Sequence, residues 1–215
     1  MRDRLVPLYL GLAALAILAL GTSHQAKATY IATIDQVGLN VVVTGSGTID
    51  FTDLTMLSPA VHSAGGIIQP SIGNIHIGSS AGADYDGYYG ISGPTSFGTG
   101  LGGDPSSGSP GSFAGIQNTG GPFPSPGVIV PLGYSSGTLL SNTMTFDNQT
   151  LASIGLTPGT YVWTWGSGPD ADSFTLQIGP TTTTAVPEPG SLALLLSALA
   201  GFLGLQGVRR RIVAL

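Results

Sequence analysis

Hydrophobic and polar residues alternate along several short stretches of this chain, a pattern typical of strands that bury one face. Residues 161–165 alternate in this way, and residues 173–178 alternate again after a turn rich in glycine. The two stretches predict a β-hairpin, with Tyr161, Trp163 and Trp165 sharing one face of the first strand. Phe174, Leu176 and Ile178 share one face of the second strand, and the alternation favours a core position for the tryptophans.

Further stretches rich in Val, Ile and Thr are separated by glycine and proline. Residues 39–44 and 48–52 flank Gly45-Ser46-Gly47, which predicts a second hairpin. The weaker strand candidates are residues 67–69, 72–77, 128–132 and 139–146. Because few segments have a helical period, we expect a mainly β body over residues 29–180, an antiparallel β-sandwich that is jelly-roll-like.

Residues 98–126 interrupt this pattern, since they are crowded with Gly, Ser and Pro, and they predict a long mobile loop. The loop begins with a G-x-G-x-x-G match at residues 98–103. Such a motif binds phosphate only where a helix follows it. No helical pattern follows here, so we expect a flexible loop and no nucleotide site.

The two ends of the chain carry apolar runs of different kinds. At the N-terminus a short basic start precedes an apolar core, and Ala26-Lys27-Ala28 fits the small-x-small pattern of signal peptidase. We therefore predict that residues 1–28 form a helical signal peptide. The alternative is an uncleaved membrane anchor. Residues 191–208, as a helix rising about 1.5 Å per residue, would span about 27 Å and predict a transmembrane helix.

The charges are distributed unevenly and restrict the partners of the body. All 6 Lys and Arg residues lie near the ends of the chain, and none lies between Thr29 and Val186. A body without cations cannot neutralise phosphates, so we expect no nucleic-acid binding. Arg209, Arg210 and Arg211 follow the apolar span, which predicts a cytoplasmic tip and an exported body.

The C-terminal segment resembles a known sorting signal. Pro187-Glu188-Pro189, the apolar span and Arg209–Arg211 are similar to the tripartite tail of PEP-CTERM proteins, a tail also labelled ice-binding protein C-terminal domain. The resemblance implies that residues 187–215 are recognised in the membrane by an exosortase, which cleaves near the Pro-Glu-Pro after a Thr-rich spacer at 181–186. Three blocks of the body, at 45–55, 84–98 and 156–179, resemble a recurring set of such proteins, for which the resemblance implies a fold and no reaction.

Two aspartate pairs are the candidate metal ligands of the body. Asp84 and Asp86, and likewise Asp170 and Asp172, alternate in the way that oxygen ligands can surround Ca²⁺. The alternative is turn formation, since aspartate caps its own backbone. We expect no cofactor other than, at most, calcium at these four residues.

The remaining candidate residues are interpreted as structural. Residues 133–137 match G-x-S-x-G, but a strand-like segment follows where a nucleophile elbow needs a helix. His62 and His76 have no third ligand at metal spacing and are expected to be ordinary β-domain histidines. The tyrosines at 85, 88 and 89 lie beside aspartates and are expected to be exposed, where they could stack on sugar rings.

Together these patterns predict an exported, non-enzymatic protein. The body would be held transiently at the membrane with its fold outside the cytoplasm, and would then reach the cell surface or an exopolysaccharide matrix. A surface module that binds Ca²⁺, a glycan or ice is the alternative. A flat Thr-rich face would favour ice, but the threonines of the sequence are scattered over several predicted strands.

Overall fold

The computed structural model describes residues 29–109, 112–119 and 126–179, with the side chains of residues 58–60 excluded. The predicted signal peptide at 1–28, the spacer at 181–186 and the sorting signal at 187–215 lie outside these ranges. The chain divides into two compact units, Met1–Pro180 and Thr181–Leu215, and all the described residues belong to the first.

The described residues are mainly β and form two six-stranded sheets. In the first sheet β1 and β12 run parallel, and the other neighbouring strands are antiparallel. Its strands, in spatial order, are β11 (Gly159–Trp165), β12 (Asp172–Ile178), β1 (Thr29–Val37), β2 (Asn40–Gly47), β10 (Leu140–Phe146) and β7 (Ser107–Gly108).

The second sheet is antiparallel throughout. Its strands, in spatial order, are β3 (Thr55–Ser63), β6 (Ala83–Tyr89), β9 (Gly127–Pro131), β8 (Ala114–Gln117), β5 (Asn74–Ile77) and β4 (Ile67–Gln69). Short helical segments connect strands: α1 at Leu151–Ile154, and 3₁₀ turns at Pro70–Ile72 and Gly168–Asp170. Among the described residues no helix is long and apolar enough to cross a membrane.

One apolar cluster joins the two sheets. Tyr30 and Trp163 enter it from the first sheet and Ile75 and Val128 from the second, and each is completely buried. The sheets therefore face each other across a shared core, in the manner of a sandwich. A smaller cluster of Tyr85, Phe113 and Ile129 belongs to the other face of the second sheet, because Ile129 alternates with two residues of the main core.

Most of the strand predictions are confirmed. The hairpin of residues 161–165 and 173–178 is present as β11 and β12, which pair from Gly159 opposite Ile178 to Trp165 opposite Asp172. Both tryptophans are buried, as the alternation predicts. The candidates at 67–69, 72–77, 128–132 and 139–146 correspond to β4, β5, β9 and β10.

The hairpin predicted around Gly45-Ser46-Gly47 is wrong. These residues continue β2, which pairs with β1 and β10, and residues 48–52 form a loop. The turn lies instead at Gly38-Leu39, where Gly38 has a φ of +62° and Val37 pairs with Asn40. Gly45 has another reason to be glycine, because a Cβ there would lie 1.9 Å from Tyr30 Oη.

The long loop predicted at 98–126 contains strands. Residues 114–117 form β8, which is fully buried between β5 and β9, and 107–108 form the edge strand β7. Gly103 exchanges two backbone hydrogen bonds with Ile68, at 3.1 and 2.9 Å. Four residues are too few for an alternation pattern to stand out from a Gly-rich surrounding, so local sequence concealed a central strand.

Candidate functional site

A polar pocket opens at the edge of the second sheet where β4, β5 and β8 meet. Its volume is about 370 Å³, and its lining includes His76, Asn74, Gln69, Gln117, Ser63 and Asp104. The alternation of side chains along β5 determines which residues form the floor of the pocket. Ile75 and Ile77 of β5 belong to the core between the sheets, so Asn74 and His76 project from the opposite face.

Asn74 fixes one wall of the pocket through four hydrogen bonds. Its Nδ2 donates to Gln69 Oε1 and to the Thr119 carbonyl, both at 2.9 Å. Its Oδ1 accepts from the backbone N–H groups of Asn118 at 2.7 Å and Thr119 at 3.1 Å. Gln117 Nε2 donates to the same Thr119 carbonyl. Since every hydrogen-bonding position of the Asn74 amide is used, this residue positions the wall.

His76 is the unusual residue of the pocket. It is 6% exposed, and neither ring nitrogen has a hydrogen-bond partner among the residues that the structure describes. Burial lowers its pKa to about 4, and a hydrogen-bonding interaction with the Gln117 side chain, outside ordinary hydrogen-bond geometry, partly opposes that shift. The imidazole is therefore neutral at pH 7 and presents one donor and one acceptor.

The surroundings hold the His76 ring in place. Its centroid lies 5.7 Å from that of Phe113, edge-on at 74°, and 6.2 Å from that of Tyr85. Gly115 is its partner on β8, and no side chain fits there because a Cβ would lie 1.9 Å from the Ile75 carbonyl oxygen. The only charged group in the described lining is the exposed Asp104.

Asp84 and Asp86 lie on a strand, β6, and not in a turn. The Asp84 carboxylate is 2.7 Å from His62 Nδ1, and both side chains are exposed. Asp86 is buried and accepts a hydrogen bond from the Gly133 N–H at 2.8 Å. Each carboxylate of this pair therefore has a partner within the protein.

Asp170 and Asp172 lie at the turn that joins β11 to β12. Asp172 is buried and accepts from the backbone N–H groups of Asp50 and Ser173, each at 2.6 Å. Burial raises its pKa to about 6 in spite of these bonds. No group of three or more His, Asp or Glu in the described ranges is arranged to hold a metal ion. Calcium binding by the two pairs stays a prediction.

The G-x-S-x-G stretch supports a neighbouring loop. Ser136 Oγ donates to Asp50 Oδ1 at 2.7 Å, and hydrogen bonds from Thr52 and Ser136 lower the Asp50 pKa. Tyr134 Oη accepts from the Ile49 N–H at 3.1 Å and donates to the Thr138 carbonyl at 2.5 Å. The strand β10 follows where a nucleophile elbow requires a helix.

Three glycines of the 98–103 stretch, Gly98, Gly100 and Gly102, are close-packed against other backbone. A Cβ on Gly102 would lie 1.6 Å from the Ile68 carbonyl oxygen, and one on Gly100 would lie 2.2 Å from that of Ile154. Only glycine allows this approach of two backbones. The G-x-G-x-x-G match therefore reflects packing against β4 and α1, where the sequence predicted a flexible loop.

The expectation of exposed tyrosines is wrong for two of the three. Tyr85 is 4% exposed and belongs to the smaller cluster. Tyr88 is 6% exposed and stacks on Phe51 with ring centroids 4.5 Å apart. Both lie on β6 but are buried on opposite faces, Tyr85 in the smaller cluster with Phe113 and Tyr88 in the core between the sheets, while Tyr89 at the strand end is half-buried.

Strand register brings scattered threonines onto one face. On the outer face of the first sheet one row runs across five strands, because each residue pairs with the next. The row consists of Thr160, Gln177, Thr33, Thr44 and Thr143. Thr33 and Thr44 are joined by a hydrogen bond of 2.8 Å between their hydroxyls. A neighbouring row, also uncharged, contains Val162, Thr175, Ile31, Ser46 and Ser141.

Sequence patterns did not single out the His76 pocket or the threonine face. The alternation at Asn74-Ile75-His76-Ile77 was a visible signal for two polar residues on one side of a strand. What completes the pocket comes from the adjoining β4 and from β8 and residue 104, and the last two are distant in sequence.

Comparison with known proteins gives no family for the chain. No family model, no curated protein and no solved structure matches it. What the pocket and the threonine face do is therefore inferred from their own chemistry.

Proposed function

We propose that the chain is an exported, non-enzymatic protein of the cell envelope or the exopolysaccharide matrix, sorted and cleaved by an exosortase. One observation carries the proposal: Pro187-Glu188-Pro189, an apolar span and Arg209–Arg211 follow one another in a chain with no Lys or Arg between 29 and 186. Arginines that follow an apolar span keep that end of the chain in the cytoplasm, so here they would keep the C-terminal end inside.

The processing steps follow from the same residues. Signal peptidase cleaves after Ala28, within the Ala26–Ala28 site, and releases the N-terminus of the body. The span at 191–208 then holds the body outside the cytoplasm. The two prolines keep Glu188 in an extended segment that a membrane-embedded protease can bind.

The body suits a passive envelope component. Its described residues form a sandwich held by apolar packing and by hydrogen bonds, and the interaction of His62 with Asp84 is on the surface.

The test is the mass of the mature protein in cells with and without an exosortase. We expect loss of the C-terminal tail only where the enzyme is present, and retention of the tail when Pro187 and Pro189 are both replaced by alanine. Thr182→Ala, in the spacer, is the matched control and should be processed normally. An intact Arg209–Arg211 tail in both cell types would overturn the proposal.

A ligand-binding surface module is the second candidate, and the threonine face favours ice as its ligand. The two rows across the first sheet are uncharged and place hydroxyl and methyl groups at the regular strand spacing of about 4.8 Å. Such a face can order water in a repeating pattern. Calcium is less supported, since the carboxylates of Asp84, Asp86 and Asp172 have partners within the protein.

Inhibition of ice recrystallisation tests this candidate. We expect activity in the full chain and its loss in Thr44→Lys, which places a charge in the middle of the row. Thr52→Lys, in the loop after β2, is the control and should keep the activity. Absence of inhibition by the unmodified chain would exclude ice as the ligand.

A further inference from the structure

The pocket around His76 has the size and openness of a small-molecule site. Its volume of about 370 Å³ falls within the range of roughly 300–1,000 Å³ that is usual for ligand pockets. Amide and hydroxyl groups of Gln69, Gln117 and Ser63 line it, beside the apolar side chains of Ile67 and Ile72. The pocket therefore combines hydrogen-bonding groups with apolar surface.

His76 points to a ligand in this pocket. Buried polar atoms almost always have a hydrogen-bond partner, and leaving one without a partner is costly. Here both nitrogens of one ring are buried without a hydrogen bond of ordinary geometry, and the Gln117 side chain lies near enough to interact with the ring only weakly. A bound molecule that both donates and accepts would satisfy the ring, and a hydroxyl group does both.

The charges of the site exclude other ligand classes. An anion would find no Lys or Arg in the body and would meet the carboxylate of Asp104. A metal ion would find His76 and a single exposed carboxylate in the described lining, which is too few ligands. An apolar ligand would leave the two ring nitrogens of His76 without hydrogen bonds.

We propose that the His76 pocket binds a neutral saccharide unit, with a sugar hydroxyl hydrogen-bonded to the His76 imidazole once the side chains that cover its buried nitrogens move aside. The side chains of Gln69, Gln117 and Ser63 contact further hydroxyls, and Ile67 and Ile72 cover the C–H face of the ring. Asn74, whose own bonds are complete, positions Gln69 and the 117–119 segment. The site extends beyond the proposed sorting function and does not depend on it.

The experiment is saturation-transfer NMR with the full chain in a detergent that has no sugar head group. The probes are glucose, galactose, mannose and N-acetylglucosamine, their disaccharides, and glucuronic acid. We expect at least one neutral sugar to bind at millimolar concentration and glucuronic acid to bind at least tenfold more weakly. Stronger binding of a disaccharide than of its monosaccharide would identify a polymer segment as the source of the sugar unit.

Two variants locate the binding. His76→Phe keeps the ring that packs on Phe113 and removes both nitrogens, and we expect it to weaken binding at least tenfold. Ser80→Trp obstructs the pocket from an exposed position and should do the same, so the test stands even if the first variant fails to fold. His62→Phe, at the exposed histidine, is the control and should bind as the unmodified chain does.

The outcomes are decisive for the site. Failure of every neutral sugar to bind, or binding that Ser80→Trp and a folded His76→Phe both leave unchanged, would overturn the proposal. Equal binding of glucuronic acid and glucose would overturn the requirement for a neutral sugar. The mass of the mature C-terminus reports on sorting separately, so failure here is distinguishable from failure of the proposed function.

Discussion

Tyr30 Oη donates a hydrogen bond of 2.5 Å to Asn142 Oδ1, linking two strands of the first sheet that are not adjacent. Tyr30 lies on β1 and Asn142 on β10, and the bond passes over Gly45 of β2. The Asn142 amide in turn donates to the carbonyl of Ile77 in the second sheet, at 3.2 Å, and to that of Ser112. One buried side chain therefore joins both sheets within an apolar core.

Replacing Gly45 by alanine should destabilise the fold. The new Cβ would lie 1.9 Å from Tyr30 Oη and 2.4 Å from Asn142 Oδ1, so it would break their hydrogen bond or displace both side chains. We expect the free energy of unfolding to fall by about 3 kcal/mol, the upper end for overpacking. Chemical denaturation measures it.

The neighbouring residue supplies the control for this change. Ser46 is exposed on the opposite face of β2, and Ser46→Ala should alter the stability by less than about 0.5 kcal/mol. Equal stability of the Gly45→Ala and Ser46→Ala variants would show that Tyr30 and Asn142 do not meet over Gly45.

The Tyr30–Asn142 bond should be measurable in a double-mutant cycle. Tyr30→Phe removes one hydroxyl and should cost about 1 kcal/mol. Asn142→Ala should cost more, about 3 kcal/mol, because it also leaves the Ile77 and Ser112 carbonyls without their donor. Because the two residues share one bond, the double variant should be more stable than the sum of the single changes predicts.

A second double-mutant cycle, with Thr143 in place of Asn142, is the reference for the first. Thr143 lies beside Asn142 on β10 and is exposed on the outer face. Thr143→Val combined with Tyr30→Phe should be additive within about 0.5 kcal/mol. Additivity in the Tyr30–Asn142 cycle as well would contradict the bond.

Asp172 should make stability depend on pH. Burial raises its pKa from 3.8 to about 6 in the folded chain, so the folded state holds this proton more tightly than the unfolded state. The resulting stabilisation is fully present below about pH 4. It is lost as the pH rises through the pKa that Asp172 has in the folded state. Asp172→Asn cannot titrate and should abolish this contribution.

The measurement is the melting temperature of both forms between pH 4 and 7. As the pH falls, the melting temperature of the unmodified chain should rise relative to that of Asp172→Asn. His76 has the opposite effect, because its pKa is lowered to about 4 and its stabilisation is lost on acidification. Both chains in the comparison keep His76, so its contribution cancels. A difference in melting temperature that does not change with pH would refute the role of Asp172.

Gly102 should be required for packing and not for binding phosphate. Gly102→Ala would bring its Cβ within 1.6 Å of the Ile68 carbonyl oxygen, at a φ of +76° that disfavours any side chain. We expect a loss of about 2 kcal/mol or more. At Gly103 a Cβ meets nothing within 4 Å, so Gly103→Ala is the matched control and should be nearly neutral.

Nucleotide addition separates packing from phosphate binding at the same residues. ATP with magnesium should leave the melting temperature of the unmodified chain unchanged. A rise in melting temperature that Gly102→Ala abolishes would instead support a phosphate site.

Alternation determined a large part of the β structure. In β12 and in residues 160–165 of β11 burial follows the period-two pattern, so local sequence was enough to identify the strands and their buried faces. Local sequence misplaced the turn at residues 45–47, because glycine permits a tight turn and a close approach between strands equally well. It also missed β8, whose burial depends on its neighbours β5 and β9 more than on its own composition.

By itself the sequence determined the mainly β character of the body, the absence of Lys and Arg that leaves the pocket without a cation, and the order of residues on which the sorting proposal rests. These are properties of composition and of short-range periodicity. Only the tertiary structure decided which residues meet: His76 with Phe113, Thr44 with Thr33 and Thr143, and Tyr30 with Asn142. Strand order and register set those contacts, and they depend on pairing between segments as much as 112 residues apart.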